Sequence, residues 1–378
     1  MEQLEEYRKE FPITENYAFF NNAAVSAPPR RVISAVENLF HQFGHEGLTR
    51  YPQWMATVDR TRSLFAQLIN ASPAEIAFTG NTSDGLSAIA AGIDWKPGDK
   101  ILVPVPDFPS NVYPWLNLER KGVEVYFLQR KNGRFDVNDI SAVLRPGTKL
   151  VALSSTDFST GFTCDLAEIG AFCERQGILF CVDAIQTLGA VPFDVKEYGI
   201  SFLACGGHKW LLSTMGIGAL YVSTEVNNLV HPARVGWRSV QDEENFYNLD
   251  LRLQEDARRF ETGTLNVAGI TALGASLELL LEIGIDRIFE KLLYLNDMIA
   301  AGLRERSFEI VSPEERKQRS GILSFLPDDA EGLFRYCLNA NVLVSQRGNA
   351  LRLSPHFYNN EADIERFFEV VDEYGIHR

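Results

Sequence analysis

Residues 205–210 read Cys-Gly-Gly-His-Lys-Trp, and Lys209 within them is a group that could do covalent chemistry. The apolar run before it, Ile200 to Ala204, has the length of a short buried strand. Gly206 and Gly207 then let the backbone turn sharply or approach a ligand closely. Trp210, Leu211 and Leu212 follow at once. An amine pressed among such neighbours loses the solvation that favours its proton, so it can act as a free base. A neutral lysine amine condenses with carbonyl compounds, pyridoxal phosphate among them.

A second stretch upstream supplies a matching acid. Ile178 to Val182 is a continuous apolar run that ends on Asp183, with Gln186 close behind. Such runs belong to parallel sheets covered on both faces. Ligands bind beyond the carboxyl ends of those strands. An aspartate there can pair with a protonated pyridine nitrogen, the pairing that makes pyridoxal phosphate an electron sink. Asp183 and Lys209 would then leave the ends of two strands of one sheet.

Val182-Asp183-Ala184-Ile185-Gln186 followed by Gly206-Gly207-His208-Lys209 resembles the class V aminotransferase family of fold-type-I pyridoxal-phosphate enzymes. That family includes cysteine desulfurases, selenocysteine lyases, isopenicillin N epimerase-like enzymes and kynureninases. The resemblance runs from about Asn21 to Tyr358. It implies an α/β fold, with a mostly parallel central sheet in a large domain and a smaller α+β domain after it. The expected division is an arm over 1–20, a large cofactor-binding domain over 21–265 and a small C-terminal domain over 266–378. The implied cofactor is pyridoxal phosphate and the implied substrate is an α-amino acid. Lys209 would form the Schiff base and, once freed, act as the base at Cα. His208 would support the phosphate or the ring.

Other positions gain roles from the same resemblance. Thr82 and Ser83 follow the strand-like Ile76-Ala-Phe-Thr and open a helix rich in small residues. By themselves they suit an ordinary N-cap or an anion site; the resemblance makes them the phosphate pair. Phe108 falls where a ring stacks on the pyridine. Desulfurases have histidine there, and a phenyl ring can stack but cannot move protons. Phe158 falls where desulfurases carry asparagine, so one cofactor hydrogen bond is either missing or supplied by Gln186. Gly263 and Thr264 match a pair that reaches the phosphate of a neighbouring subunit's cofactor, which implies a homodimer with shared sites. Arg352 matches the arginine that takes the substrate carboxylate through its two-pronged fork. Asn22 and Arg347 are further candidates for substrate contact.

One absence separates this chain from the desulfurases. Between Val344 and Leu351 it reads Ser-Gln-Arg-Gly-Asn-Ala, with no cysteine to accept sulfur, and Cys337 lies in a helical pattern. The expected reaction is therefore transamination or Cβ–X lysis, with epimerisation or a non-catalytic scaffold as alternatives. A nicotinamide enzyme would need a G-x-G-x-x-G after an early strand, and none is present.

Composition agrees with this reading. The chain has 378 residues, 46% hydrophobic and 23% charged, which makes two domains the expectation. A net charge of −14 argues against nucleic acid and anionic membrane surfaces as partners. No apolar run is long enough to span a bilayer, and the acidic opening segment lacks a signal-like stretch, so a cytoplasmic location is expected. The five cysteines and six histidines show no metal-binding spacing, and no metal is implied.

The elements that must position these groups follow from hydrophobic spacing. Strands are expected at 76–79, 101–105, 124–128, 150–154, 178–182, 200–204 and 216–222, alternating with helices in the manner of a parallel sheet. Helical spacing covers 60–69, 167–175 and 270–303, the last interrupted at Gly284. Residues 231–260 show no regular pattern. Strands at 322–326, 342–345 and 351–354 would build the small domain.

Overall fold

The computed structural model describes residues 2–131 and 133–376. A two-residue strand β1 (Ala18–Phe19) comes first. The apolar runs then form β2 (Ile76–Thr79), β3 (Lys100–Val105), β4 (Glu124–Gln129), β5 (Thr148–Ser154), β6 (Leu179–Asp183), β7 (Phe202–Gly206) and β8 (Gly218–Val222). These seven make one sheet in the order β2-β8-β7-β6-β5-β3-β4. Strands β3 to β7 are parallel to their neighbours among themselves, while β8 runs antiparallel to both β7 and β2. The expected mostly parallel sheet is therefore present. Alternate residues of β6 enter different cores, Phe180 and Val182 on one face and Cys181 on the other. Burial on both faces is why this strand reads as an unbroken apolar run.

The parallel strands end along one edge, and that edge carries Asp183 at the end of β6 and the turn with Lys209 just after β7. The alternation of strand and helix fails between β6 and β7, where residues 184–201 form turns. Gly189 shows why. It sits at φ +94°, and a Cβ there would stand 2.3 Å from the carbonyl oxygen of Trp210. The connection packs directly against the Lys209 turn, closer than a side-chain-bearing helix could come. The turn is closed by its own backbone: Gly207 N–H donates to Ile217 at 2.8 Å, Leu212 N–H to Lys209 at 2.8 Å, and Ser213 N–H to Gly207 at 2.9 Å. Leu212 adopts φ +56° to make this closure.

The C-terminal part contains β9 (Glu309–Ile310), β10 (Leu323–Leu326), β11 (Val342–Leu343), β12 (Ser345–Arg347) and β13 (Ala350–Leu353). Four of them form an antiparallel sheet, β12-β13-β10-β9, and β11 pairs in parallel with β1. The expected strand over 342–345 is thus two strands in different sheets. The cores also divide differently from the expected boundary at 266. Leu273, Leu277 and Leu280 of the helix Val267–Ile283 belong to the large core, while Leu295, Ile299 and Leu303 of Ile285–Glu305 pack in the small one. The chain bends by 79° between the two helices at Gly284, φ +89°, while Ile288 and Leu292 beyond the bend still belong to the large core. Taken singly, no described helix is long and apolar enough to cross a membrane.

The N-terminal arm crosses back to the C-terminal part. Arg8 grips Asp363 with two hydrogen bonds of 2.7 and 2.9 Å, and Phe11 stacks on Tyr358 at 3.8 Å. Ala18 and Phe20 join the small core. Residues 18–24 therefore run from one core to the other across the mouth of the edge described above.

Candidate active site

A cavity of about 300 Å³ opens at the carboxyl edge of the sheet. Its wall contains Thr82, Ser83, Phe108, Asp183, His208 and Lys209 from the large part, and Arg347 and Arg352 from the small one. Eight residues from five separate stretches of chain, each expected from the sequence, thus meet in one place.

Lys209 is buried, and its Nζ lies 5.5 Å from the centre of the Phe108 ring. Burial brings its amine down to about 8, with Arg352 and Arg347 adding to the fall and Asp183 opposing it. Asp183 is also buried, and its Oδ1 accepts the N–H of Ile185 at 3.0 Å. Burial pushes this carboxyl up to about 7; the Ile185 amide and Lys209 work against the rise and Asp107 adds to it. Proton affinity is thus lowered in the base and raised in the acid, the kind of perturbation that collects at functional sites. His208 is held low by burial and by the Lys209 charge, which keeps its ring neutral and able to donate or accept one hydrogen bond.

The phosphate end is built by the start of the helix Thr82–Gly92. Asn81 caps it, its side chain accepting the Asp84 N–H at 2.9 Å. The N–H groups of Thr82 and Ser83 lie in the first turn and have no partner within the helix. Thr82 Oγ1 is buried with no hydrogen-bond partner, while Ser83 Oγ meets Ser110 Oγ at 2.7 Å. A buried hydroxyl left unpaired beside free helix-end donors fits an anionic oxygen.

Phe108 and Phe158 meet edge to face at 5.4 Å on the cavity wall. Each follows an acid, and one arginine joins the two acids. Arg130 Nη1 bonds Asp157 at 2.6 Å, and its Nη2 lies 3.5 Å from Asp107. All three side chains are at most 4% exposed. Asp107 also takes hydrogen bonds from Asn111, from Ser154 and from the Phe108 amide, and Asp157 from the amides of Ser159 and Thr160. This triad was not foreseen. Its signal was present all the same: β3, β4 and β5, three adjacent parallel strands, each run out into one of these charges at the ligand-binding edge.

Several expected residues hold different partners. Asn22 is not on the cavity wall: its Nδ2 donates to Ser354 at 2.9 Å and its Oδ1 accepts from Tyr358 at 2.9 Å. It therefore ties the 18–24 crossing to the small part rather than facing substrate, and Ala23 and Ala24 face the cavity instead. Gln186 lines the cavity, but its Nε2 donates to Ala23 at 3.0 Å and its oxygen accepts from Trp210 at 2.9 Å. It joins the crossing to the Lys209 turn. Gly263 and Thr264 do not reach this cavity. They follow Glu261, which is fixed in a buried pair with Arg62 at 2.7 and 3.1 Å, and Thr264 is exposed.

Strands ending on an acid and a lysine, opposite a helix start that offers donors, make this a fold-type-I site in its architecture. The model of the family described as aminotransferase class-V matches residues 18–367, and the chain belongs to that family. Among curated relatives, a probable cysteine desulfurase of Pyrococcus abyssi is 31% identical over 98% of this chain and 97% of its own. An uncharacterised aminotransferase of Bacillus subtilis is 26% identical over the whole of both chains. Among solved structures, the apo cysteine desulfurase of Thermococcus onnurineus superposes with a TM-score of 0.90 at 28% identity, covering 98% of this chain and 97% of that one. The cystine C–S lyase C-DES, crystallised with its product cysteine persulfide, has the same fold, with a TM-score of 0.89 at 23% identity, covering 96% of this chain and 99% of that one.

Proposed function

We propose that this chain is a pyridoxal-phosphate enzyme that works at Cα of an α-amino acid, by transamination or Cβ–X lysis, without passing sulfur to a protein thiol. The observation that carries the proposal is the buried Lys209 amine sharing one cavity with Asp183, Arg352 and the helix start at Thr82. Bound there, pyridoxal phosphate would supply an aldehyde for the amine and an electron-withdrawing ring. Thr82, Ser83 and His208 would hold its phosphate end. Asp183 would keep a proton on the ring nitrogen, and its raised affinity for protons suits an acid that shares one. Arg352 orients the substrate through its carboxylate. Lys209 would take the proton from Cα. Phe108, facing the lysine, confines the ring without carrying a proton, which speaks against epimerisation by a second base.

The thiols support the rest. All five cysteines are buried. Burial pushes Cys164, Cys173 and Cys337 up to about 12 and raises Cys181 and Cys205 as well. The thiolate is the sulfur-accepting form, so none of them suits that role. The turn between β12 and β13 carries Gly348 and Asn349 where a desulfurase would need a mobile cysteine. The proposal includes a cytoplasmic homodimer in which Gly263 and Thr264 serve the neighbour's cofactor. Their distance from their own cavity favours it, as does the exposed apolar strap that precedes them, with Phe246, Tyr247, Leu249 and Leu251.

The holoenzyme given a panel of amino acids, with keto acid, ammonia and sulfide measured together, tests the reaction. Transamination yields keto acid only when an acceptor is added; lysis yields ammonia without one. Substrate sulfur recovered as a persulfide on a cysteine of the protein, taken directly from the cleaved C–S bond rather than released as sulfide, would contradict the proposal. Capture of the cofactor supplies a second test. Attack on an aldehyde needs the neutral amine, and the neutral fraction of Lys209 grows as pH rises through about 8. The rate at which cofactor-free protein takes up pyridoxal phosphate is expected to climb over that range and level off above it. Continued increase toward pH 10 would mean an ordinary exposed lysine.

A further inference from the structure

Two guanidinium groups share the cavity with Lys209, and neither has a carboxylate paired with it among the described residues. Arg352, on β13, is tied into the fold: Nη1 donates to the Phe158 carbonyl and Nη2 to Ser345 Oγ at 3.3 Å. Arg347, at the end of β12, donates from Nη1 to the neighbouring Gln346 carbonyl at 2.8 Å. Both line the cavity. Among the described residues neither is in an ion pair with a carboxylate. The acids nearby are otherwise engaged. Asp157 is bonded to Arg130, and Asp183 accepts the Ile185 N–H and interacts electrostatically with Lys209. The side of the cavity formed by the β12–β13 hairpin is therefore cationic twice over.

A half-buried guanidinium without a counter-ion is costly unless a ligand brings one. An α-carboxylate matches one arginine fork. The register of the hairpin pairs Ser345 with Arg352 and Arg347 with Ala350, so the arginines sit in successive positions along the wall rather than on one point. We infer that the amino acid handled here carries a second anionic group, a side-chain carboxylate or sulfonate, taken by Arg347 while Arg352 holds the α-carboxylate. This rests on the proposed action at Cα, and it narrows the substrate to dianionic amino acids. Selectivity of this kind is strong, because a substrate lacking the acid leaves a buried charge unanswered.

Two measurements test it. In the holoenzyme, aspartate, glutamate and cysteate are expected to exceed alanine, norvaline and cysteine in kcat/KM by about 10- to 100-fold, the range for one charged hydrogen-bonded contact. Arg347→Gln should remove that preference through KM, the dianionic substrates losing far more than the neutral ones; Arg347→Lys should restore part of it. An equal loss for every amino acid in Arg347→Gln would mean that both arginines hold one carboxylate, and would overturn the inference. The second measurement needs no cofactor. Succinate, but not butyrate, should raise the melting temperature of the cofactor-free protein, and Arg347→Gln should abolish the difference. Equal shifts from the two acids would overturn the inference even if the chemistry at Lys209 stands. A succinate effect in a protein that never binds the cofactor would uphold the anion site and remove only the proposed reaction.

Discussion

Replacing Lys209 by alanine is expected to lower turnover by at least about 10³-fold while a cooperative unfolding transition is retained. General acid–base catalysis by one positioned side chain contributes about 10²- to 10⁴-fold, and this residue would also be the covalent anchor. The fold does not depend on the ammonium. Its turn is closed by backbone bonds from Gly207, Leu212 and Ser213, and the amine itself is opposed by burial and by two arginines. Steady-state rates at saturating cofactor, with urea unfolding of the same preparation, give both quantities. A variant that keeps a tenth of the activity would show that the proton is moved elsewhere.

The second large effect lies away from the reacting groups. Arg130→Met is expected to destabilise the protein by about 3–5 kcal/mol, because it leaves two buried carboxylates without their shared cation. Burial already holds Asp107 above the usual carboxylate range, with Arg130 as the main counterweight. Asp107 and Asp157 stand immediately before Phe108 and Phe158, so their separation would move both rings of the cavity wall. Activity should fall further than a surface substitution could explain. Arg130→Lys retains the charge but loses the fork, and should recover part of the stability. The midpoint and slope of urea unfolding decide the matter. A loss below about 1 kcal/mol in the methionine variant would mean that the acids are satisfied by their amide and hydroxyl donors alone.

Much of this site could be read in the chain because its groups sit at the ends of strongly patterned strands. Asp183 closes an unbroken apolar run, and Lys209 follows another after two glycines. Those signals are local. Other features depend on contacts between distant segments and left no local trace. The reversed direction of β8 is one, since an apolar strand looks alike in either sense. The bare connection from β6 to β7 is another; it follows from Gly189 lying against Trp210, a neighbour 21 positions on. Asn22 shows a third kind of miss. A polar residue in a loop near a site suggests ligand contact, yet here it is buried by Ser354 and Tyr358, far along the chain. The Arg130 triad was hidden for the same reason, as three charges that look solvated when each is seen alone.

Borohydride reduction of the protein incubated with pyridoxal phosphate, followed by peptide mapping, goes most directly to the central claim. A single stable adduct on Lys209, near one per chain and absent from the alanine variant, is the expected result. Adducts scattered over the exposed lysines, with the peptide carrying Lys209 unmodified, would contradict the assignment of this cavity.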